Sequence, residues 1–139
     1  MDAAAEGAEP RYQIGEVAER VGLSLRTVRY YEEMGLARPS ARSPGGFRLY
    51  SDRDVERLCV LKGMKPLGLS LDEIRELMDA LDATERPGEL EGDERRGRAA
   101  QLARFEQQAD AQVARLELHL EEARRLAGRI RARRAACDG

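Results

Sequence analysis

Ser24-Leu25-Arg26-Thr27-Val28-Arg29-Tyr30-Tyr31-Glu32 and, a short way downstream, Gly45-Gly46-Phe47-Arg48-Leu49-Tyr50 hold the side chains best suited to chemistry in this sequence. Between Ser24 and Tyr50 lie five arginines (Arg26, Arg29, Arg38, Arg42, Arg48) and three tyrosines, against two acids, Glu32 and Glu33. The formal charge of the whole chain is −2, so this local basic excess is not a general solubility device. Guanidinium groups neutralise phosphates, and tyrosine hydroxyls fix register by hydrogen bonding to a nucleic-acid backbone. The segment has the composition of a phosphate-backbone footprint.

Such a footprint needs a scaffold. Ile14, Val17, Ala18 and Val21 recur at helical spacing, Gly22 breaks the run, and Ser24 is placed as the N-cap of a second helix. Leu25 and Val28 are expected to point inward from that helix, with Arg26, Arg29, Tyr30 and Glu33 on the opposite side. Two short helices joined by a glycine turn, with arginines on the second, predict a helix-turn-helix. Gly35 ends the second helix. Pro44-Gly45-Gly46 and the alternation of Phe47-Arg48-Leu49-Tyr50 predict a small hairpin, which beside a helix-turn-helix is a wing. Ser51-x-x-Asp54 opens a third helix with Val55, Leu58, Cys59 and Leu61 inward, stopped by Pro66 and Gly68. Ser70-Leu71-Asp72-Glu73 is a capping box for a fourth helix, whose apolar stripe is Ile74, Leu77, Met78 and Leu81.

Residues 82–93 are acidic and read as a linker. From about Glu94 to Arg134 no proline interrupts a long helical pattern. Leu102, Ala109, Val113, Leu116, Leu120, Ala123, Ala127 and Ile130 form a heptad seam along it. Glu106 disfavours tight pairing at one seam position, and three seam alanines allow close helix approach. A lone helix this long and charged is marginal in water, so it needs a partner. The chain of 139 residues, 36% charged and 4% aromatic, suits helices with solvated faces and a core completed by a second copy. The predicted fold class is mainly α: a winged helix-turn-helix over 11–81, then a dimerisation helix over 94–136.

The isolated Cys59 and Cys137 signal neither a disulfide framework nor a thiolate cage. No apolar run approaches the length of a membrane span. Residues 1–10 lack a basic n-region and a hydrophobic stretch, so they read as a disordered tail on a soluble cytoplasmic, nucleoid-associated protein rather than a signal peptide. No nucleophile–base pair, paired carboxylates, phosphate loop or metal-ligand set is present, which argues against an enzyme and predicts no cofactor.

The run from Tyr12-Gln13-Ile14-Gly15-Glu16-Val17-Ala18 through Arg29-Tyr30-Tyr31-Glu32-x-x-Gly35-Leu36, Gly45-Gly46-Phe47-Arg48-Leu49-Tyr50-Ser51-x-x-Asp54-Val55 and Leu67-Gly68-Leu69-Ser70-Leu71-Asp72-Glu73-Ile74 resembles the MerR family of transcriptional regulators. The match covers roughly half the chain in colinear order; over the C-terminal half the likeness is one of architecture, a long helix that in the family pairs antiparallel with its twin. The resemblance implies a homodimer on an inverted repeat between the −35 and −10 promoter elements, whose spacer is too long for good polymerase engagement. Bending and untwisting that DNA brings the elements into phase, so RNA polymerase is reached indirectly through the promoter.

By position, the resemblance assigns Arg26 and Arg29 to the major groove and adjacent phosphates. It makes Tyr30 and Tyr31 backbone contacts and places Arg42, Phe47 and Arg48 on the wing; Thr27 and Tyr50 complete the candidate DNA-contacting set. Many relatives carry tyrosine where Phe47 stands, so contact there is apolar packing on sugar or on the wing itself. The cysteines of metal-sensing relatives are missing at the start of the dimer helix, and Cys137 alone lies past it. A closely spaced cysteine cluster is missing, and no large C-terminal effector domain is expected. The resemblance allows a small organic effector in the cleft between linker, fourth helix and dimer helix, but no residue points to one.

Blander readings stand beside these. Cys59 is expected to be a buried, inert thiol and Cys137 an exposed one, and Met34, Met64 and Met78 are core filler. His119 flanks the seam and is solvated, while Arg129, Arg131, Arg133 and Arg134 favour a helix C-terminus rather than DNA. Two other classes of function compete. One is an architectural, excisionase-like DNA-bending protein, which has no need of the long seam. The other is a coiled-coil interaction module in which the basic face is incidental.

Overall fold

The computed structural model describes residues 7–139, and the first six positions of the expected tail lie outside the described residues. At Gly7 the chain is tied down, its carbonyl accepting from the Arg53 amide at 3.0 Å. The elements in order are β1 (Tyr12–Gln13), α1 (Ile14–Val21), α2 (Leu25–Glu33), β2 (Ala41–Arg42), β3 (Arg48–Tyr50), α3 (Asp52–Met64), α4 (Leu71–Ala83) and α5 (Gly92–Asp138). Single 3-10 turns at Lys65–Leu67 and Pro87–Glu89 fill the breaks. The chain divides into two compact units between Asp79 and Ala80, within α4.

In the first unit, α1 and α2 are joined by a turn at Gly22, whose φ of +77° is strained for any L side chain. A β-carbon there would also meet the Lys62 ammonium at 2.7 Å. That ammonium donates to the Val21 carbonyl at 2.7 Å, satisfying the open end of α1 with a cation from α3. Ser24 caps α2 by accepting from the Thr27 amide at 3.1 Å. Ser51–Asp54 and Ser70–Glu73 form reciprocal capping boxes at α3 and α4. Two further cations serve the exit from α2: Arg57 donates to the Leu36 carbonyl, and Arg75 to the Met34 carbonyl at 3.2 Å.

The sheet has the order β1-β3-β2, all antiparallel, with Tyr12 opposite Tyr50 and Arg42 opposite Arg48. The predicted hairpin is its β2–β3 half. β1 was not read from the sequence, because two residues are too few for alternation to show. Gly46, at φ +83°, closes the hairpin, its amide donating to the Ser43 carbonyl. The core gathers Tyr12, Val17, Val28, Leu58, Leu61 and Met64.

Three expected core positions need correction. Cys59 is exposed, since α3 buries Leu58, Leu61 and Met64 at steps of three and its neighbour falls about 100° off that line. Leu25 is 41% exposed because it opens α2, whose first turn stands clear of the core. Leu81 of the α4 stripe is also exposed.

In the second unit the Thr84 hydroxyl donates to the Ala80 carbonyl at the end of α4. α5 begins at Gly92 rather than about Glu94 and continues to Asp138, 47 residues, or about 70 Å at 1.5 Å per residue. None of its residues is buried. Val113, Leu116, Leu120 and Ile130 of the heptad seam are 43–61% exposed.

A candidate nucleic-acid interface

α2 is an amphipathic helix whose inner line is Val28 and Tyr31 and whose outer line is Arg26, Arg29, Tyr30 and Glu33. Arg26, Arg29 and Arg38 are exposed, and none has an ion-pair partner among the described residues. The first turn of α2 contains no acid, so nothing local opposes the partial positive charge of the helix N-terminus. Thr27, half-buried, sits within hydrogen-bond distance of the Ser24 hydroxyl at 2.9 Å. Tyr30 is 43% exposed with its ring tilted against Tyr31, centroids 6.1 Å apart.

The wing is fixed to this helix by one carboxylate. Glu32, on α2, accepts from Arg42 of β2 at 2.8 Å and from the Arg48 Nε of β3. Arg42 also donates to the Gly46 carbonyl in the hairpin. The Glu32 side chain is 18% exposed and that of Arg48 29%, so this network is better shielded than an ordinary surface pair. The hydrogen bond to Glu32 raises the Arg48 pKa above its ordinary value, against a lowering by burial, and the guanidinium is permanently charged. Phe47 stands at the tip of the wing, 64% exposed. Its ring lies over Gly45, where an added β-carbon would come within 3.1 Å of it.

Not every candidate residue lies on this face. Tyr31 is a core residue, 8% exposed, three positions on from Val28 and so on the same inward line of α2. Tyr50 is fully buried on β3 opposite Tyr12, and its hydroxyl has no hydrogen-bond partner among the described residues. A hydroxyl suits a phosphate contact, but at both positions the large apolar area of the ring decides their place. Burial first, then Glu32, raises the Tyr50 pKa; burial first, then Tyr30, raises that of Tyr31. Arg26, Thr27, Arg29 and Tyr30 are brought together on one helix, with Arg42, Phe47 and Arg48 beside it on the wing. Glu32, the hub between the two groups, was visible in sequence only as one of two acids in a basic run.

These elements define a winged helix-turn-helix with a long helix after it. The sequence model of the family described as MerR HTH family regulatory protein matches residues 12–81, half of the 139, and the chain belongs to that family. It shares 46% identity over 69 residues with the HTH-type transcriptional activator mta of Bacillus subtilis (strain 168), 50% of this chain and 27% of that protein. It is 40% identical over 75 residues to the mercuric resistance operon regulatory protein of Bacillus cereus, 54% of this chain and 57% of the relative. The chain therefore spans about a quarter of one relative and just over half of the other.

Among solved structures it resembles HiNmlR, a MerR family regulator lacking the sensor domain, bound to promoter DNA. That likeness has a TM-score of 0.59 and 25% identity, covering 79% of this chain and 82% of the other. Residues 12–81 are thus the DNA-binding helix-turn-helix domain of the MerR family of transcription regulators. Among the described residues no cluster of three or more His, Cys, Asp or Glu could hold a metal ion. No helix among them is long and apolar enough to cross a membrane.

Proposed function

We propose that two copies of this chain pair through α5 and bind an inverted repeat in an overlong promoter spacer, distorting the DNA to control transcription. The observation that carries this reading is a face of α2 on which Arg26 and Arg29 have no ion-pair partner among the described residues, beside a wing held to it by Glu32. α2 enters the major groove with Arg26 and Arg29 on bases and phosphates and Tyr30 on the backbone. Phe47 packs on sugar from the wing tip. Distorting a site of this kind costs on the order of 1–6 kcal/mol, which contacts at two half-sites offset.

The uncovered apolar line of α5 supports the dimer. Seam residues Leu102, Ala109, Ala123 and Ala127 lie with Val113, Leu116, Leu120 and Ile130 along a helix that buries nothing of its own. An architectural DNA-bending protein has no need of such a helix. The reading is tested by incubating the protein with fragmented genomic DNA and sequencing what stays bound. Recovery of an inverted repeat inside a long −35/−10 spacer is the expected result. Recovery of AT-rich bulk DNA without a motif contradicts it and favours the architectural alternative.

A further inference from the structure

The winged unit contains a cavity of about 330 Å³ behind the recognition helix, at the lower end of the range of small-molecule pockets, about 300–1,000 Å³. Leu61 of α3, Leu69 and Ile74 give it apolar walls, and α2 contributes Thr27, Tyr30 and Tyr31. Two polar side chains line it as well. Tyr31 lines the cavity from α2 with its ring buried, and its hydroxyl, which is open to solvent, has no hydrogen-bond partner among the described residues. Lys65, an exposed side chain, also lines it and has no anionic partner among them. Burial raises the Tyr31 pKa, so the phenol stays a donor at neutral pH. An apolar chamber edged by a phenol donor and an unpaired ammonium is complementary to one kind of guest.

We propose that this cavity binds a small apolar molecule bearing one carboxylate, and that α2, which forms one wall, transmits its occupancy to the DNA-binding face. The carboxylate accepts from Lys65 and from the Tyr31 hydroxyl, while the apolar body lies against Leu61, Leu69 and Ile74. The regulatory half of this proposal rests on the DNA-binding reading above; its binding half does not.

The test uses the full chain, ¹⁵N-labelled, titrated with 1-naphthoate and in parallel with neutral 1-naphthamide. Saturable amide shifts centred on Thr27, Tyr31, Lys65 and Ile74 are expected with naphthoate. Lys65→Met, a change at an exposed side chain, should weaken naphthoate about tenfold, the loss of one charge-assisted hydrogen bond, and naphthamide by less than about threefold. Ile74→Trp, which fills the chamber, should remove both. Absence of saturable shifts at millimolar naphthoate, or equal affinity of wild type and Lys65→Met, overturns the site. For the regulatory half, DNA affinity is measured with and without saturating naphthoate in both proteins. A ratio that departs from one only in wild type supports it, and a ratio of one in wild type overturns it while leaving the site standing. A chain that binds no DNA at all instead contradicts the reading beneath it, which the titration on free protein keeps distinguishable.

Discussion

The winged unit and α5 meet the same requirement, removing apolar surface from water, by opposite means. Within the first, Tyr12, Val17, Val28, Tyr50, Leu58 and Leu61 are all less than a tenth exposed, and the helix ends are closed by Ser24, Ser51, Ser70 and Lys62. In α5, 47 residues bury none. One region has a core of its own, while the other carries leucines at heptad spacing along an exposed surface. On the function proposed above, the winged unit presents chemistry to an outside partner, and α5 presents itself to another α5.

The largest expected effect lies on the exposed side. Leu116→Glu with Leu120→Glu removes about 1.5–3 kcal/mol of burial per leucine in the pair and places charge in the seam. Sedimentation should then show a monomer, and affinity for a palindromic site should fall by more than about 100-fold, roughly 3 kcal/mol. Unchanged sedimentation would sink the pairing of α5.

Leu58→Ala probes the side with a core. It should lower the stability of the winged unit by about 2–5 kcal/mol, as for other fully buried leucines, read from denaturant unfolding. The same change at exposed Leu118 should shift stability by less than about 0.5 kcal/mol. Similar losses at the two positions would erase the contrast.

Arg29→Ala separates presentation from folding. DNA affinity should drop by about 1–3 kcal/mol per half-site with the melting temperature unchanged. With Arg26, Arg29 and Arg38 in two protomers on phosphates, log K against log salt should have a slope on the order of −5. A flat salt response contradicts the basic-face reading.

The smallest effect is expected at Tyr50→Phe. Its hydroxyl is buried without a partner among the described residues, so removal should leave stability near neutral pH within about 0.5 kcal/mol or raise it slightly. The raised pKa values of Tyr50 and Tyr31 mean that the folded chain keeps phenolic protons after the unfolded chain has lost them. Stability is then flat with respect to these groups below about pH 10 and falls as pH rises above it. Tyr50→Phe should reduce that alkaline fall, measured by urea midpoints on either side of pH 10.

The same contrast explains what the sequence made legible. Local signals were faithful: Ser24, Ser51 and Ser70 each cap the helix they announce, and Gly35 and Gly68 follow the ends of α2 and the Lys65–Leu67 turn. Placement against the core was harder. Tyr31 and Tyr50 are chemically ambiguous, since a phenol suits a phosphate or a core equally, and only packing between elements distant in sequence resolves it. Cys59 failed for a related reason: α3 buries one line of three residues, and the apolar pattern around 58–61 is wider than that line. Glu32 joins residues 10 and 16 positions away, and pairing over that range has no periodicity to read. The Lys62 contact with Val21, 41 residues back, was beyond reach for the same reason. For α5, heptad spacing names a candidate seam, and its leucines are exposed in this chain.

The division of labour is tested most directly by counting chains on DNA. The protein is sedimented with a duplex holding its inverted repeat and with one holding a single half-site, at equal salt. Two chains on the full repeat, with affinity for the half-site lower by more than about 100-fold, is the predicted result. One chain bound to the half-site as tightly as to the repeat would show that the winged unit works alone, and the role given to α5 would be wrong.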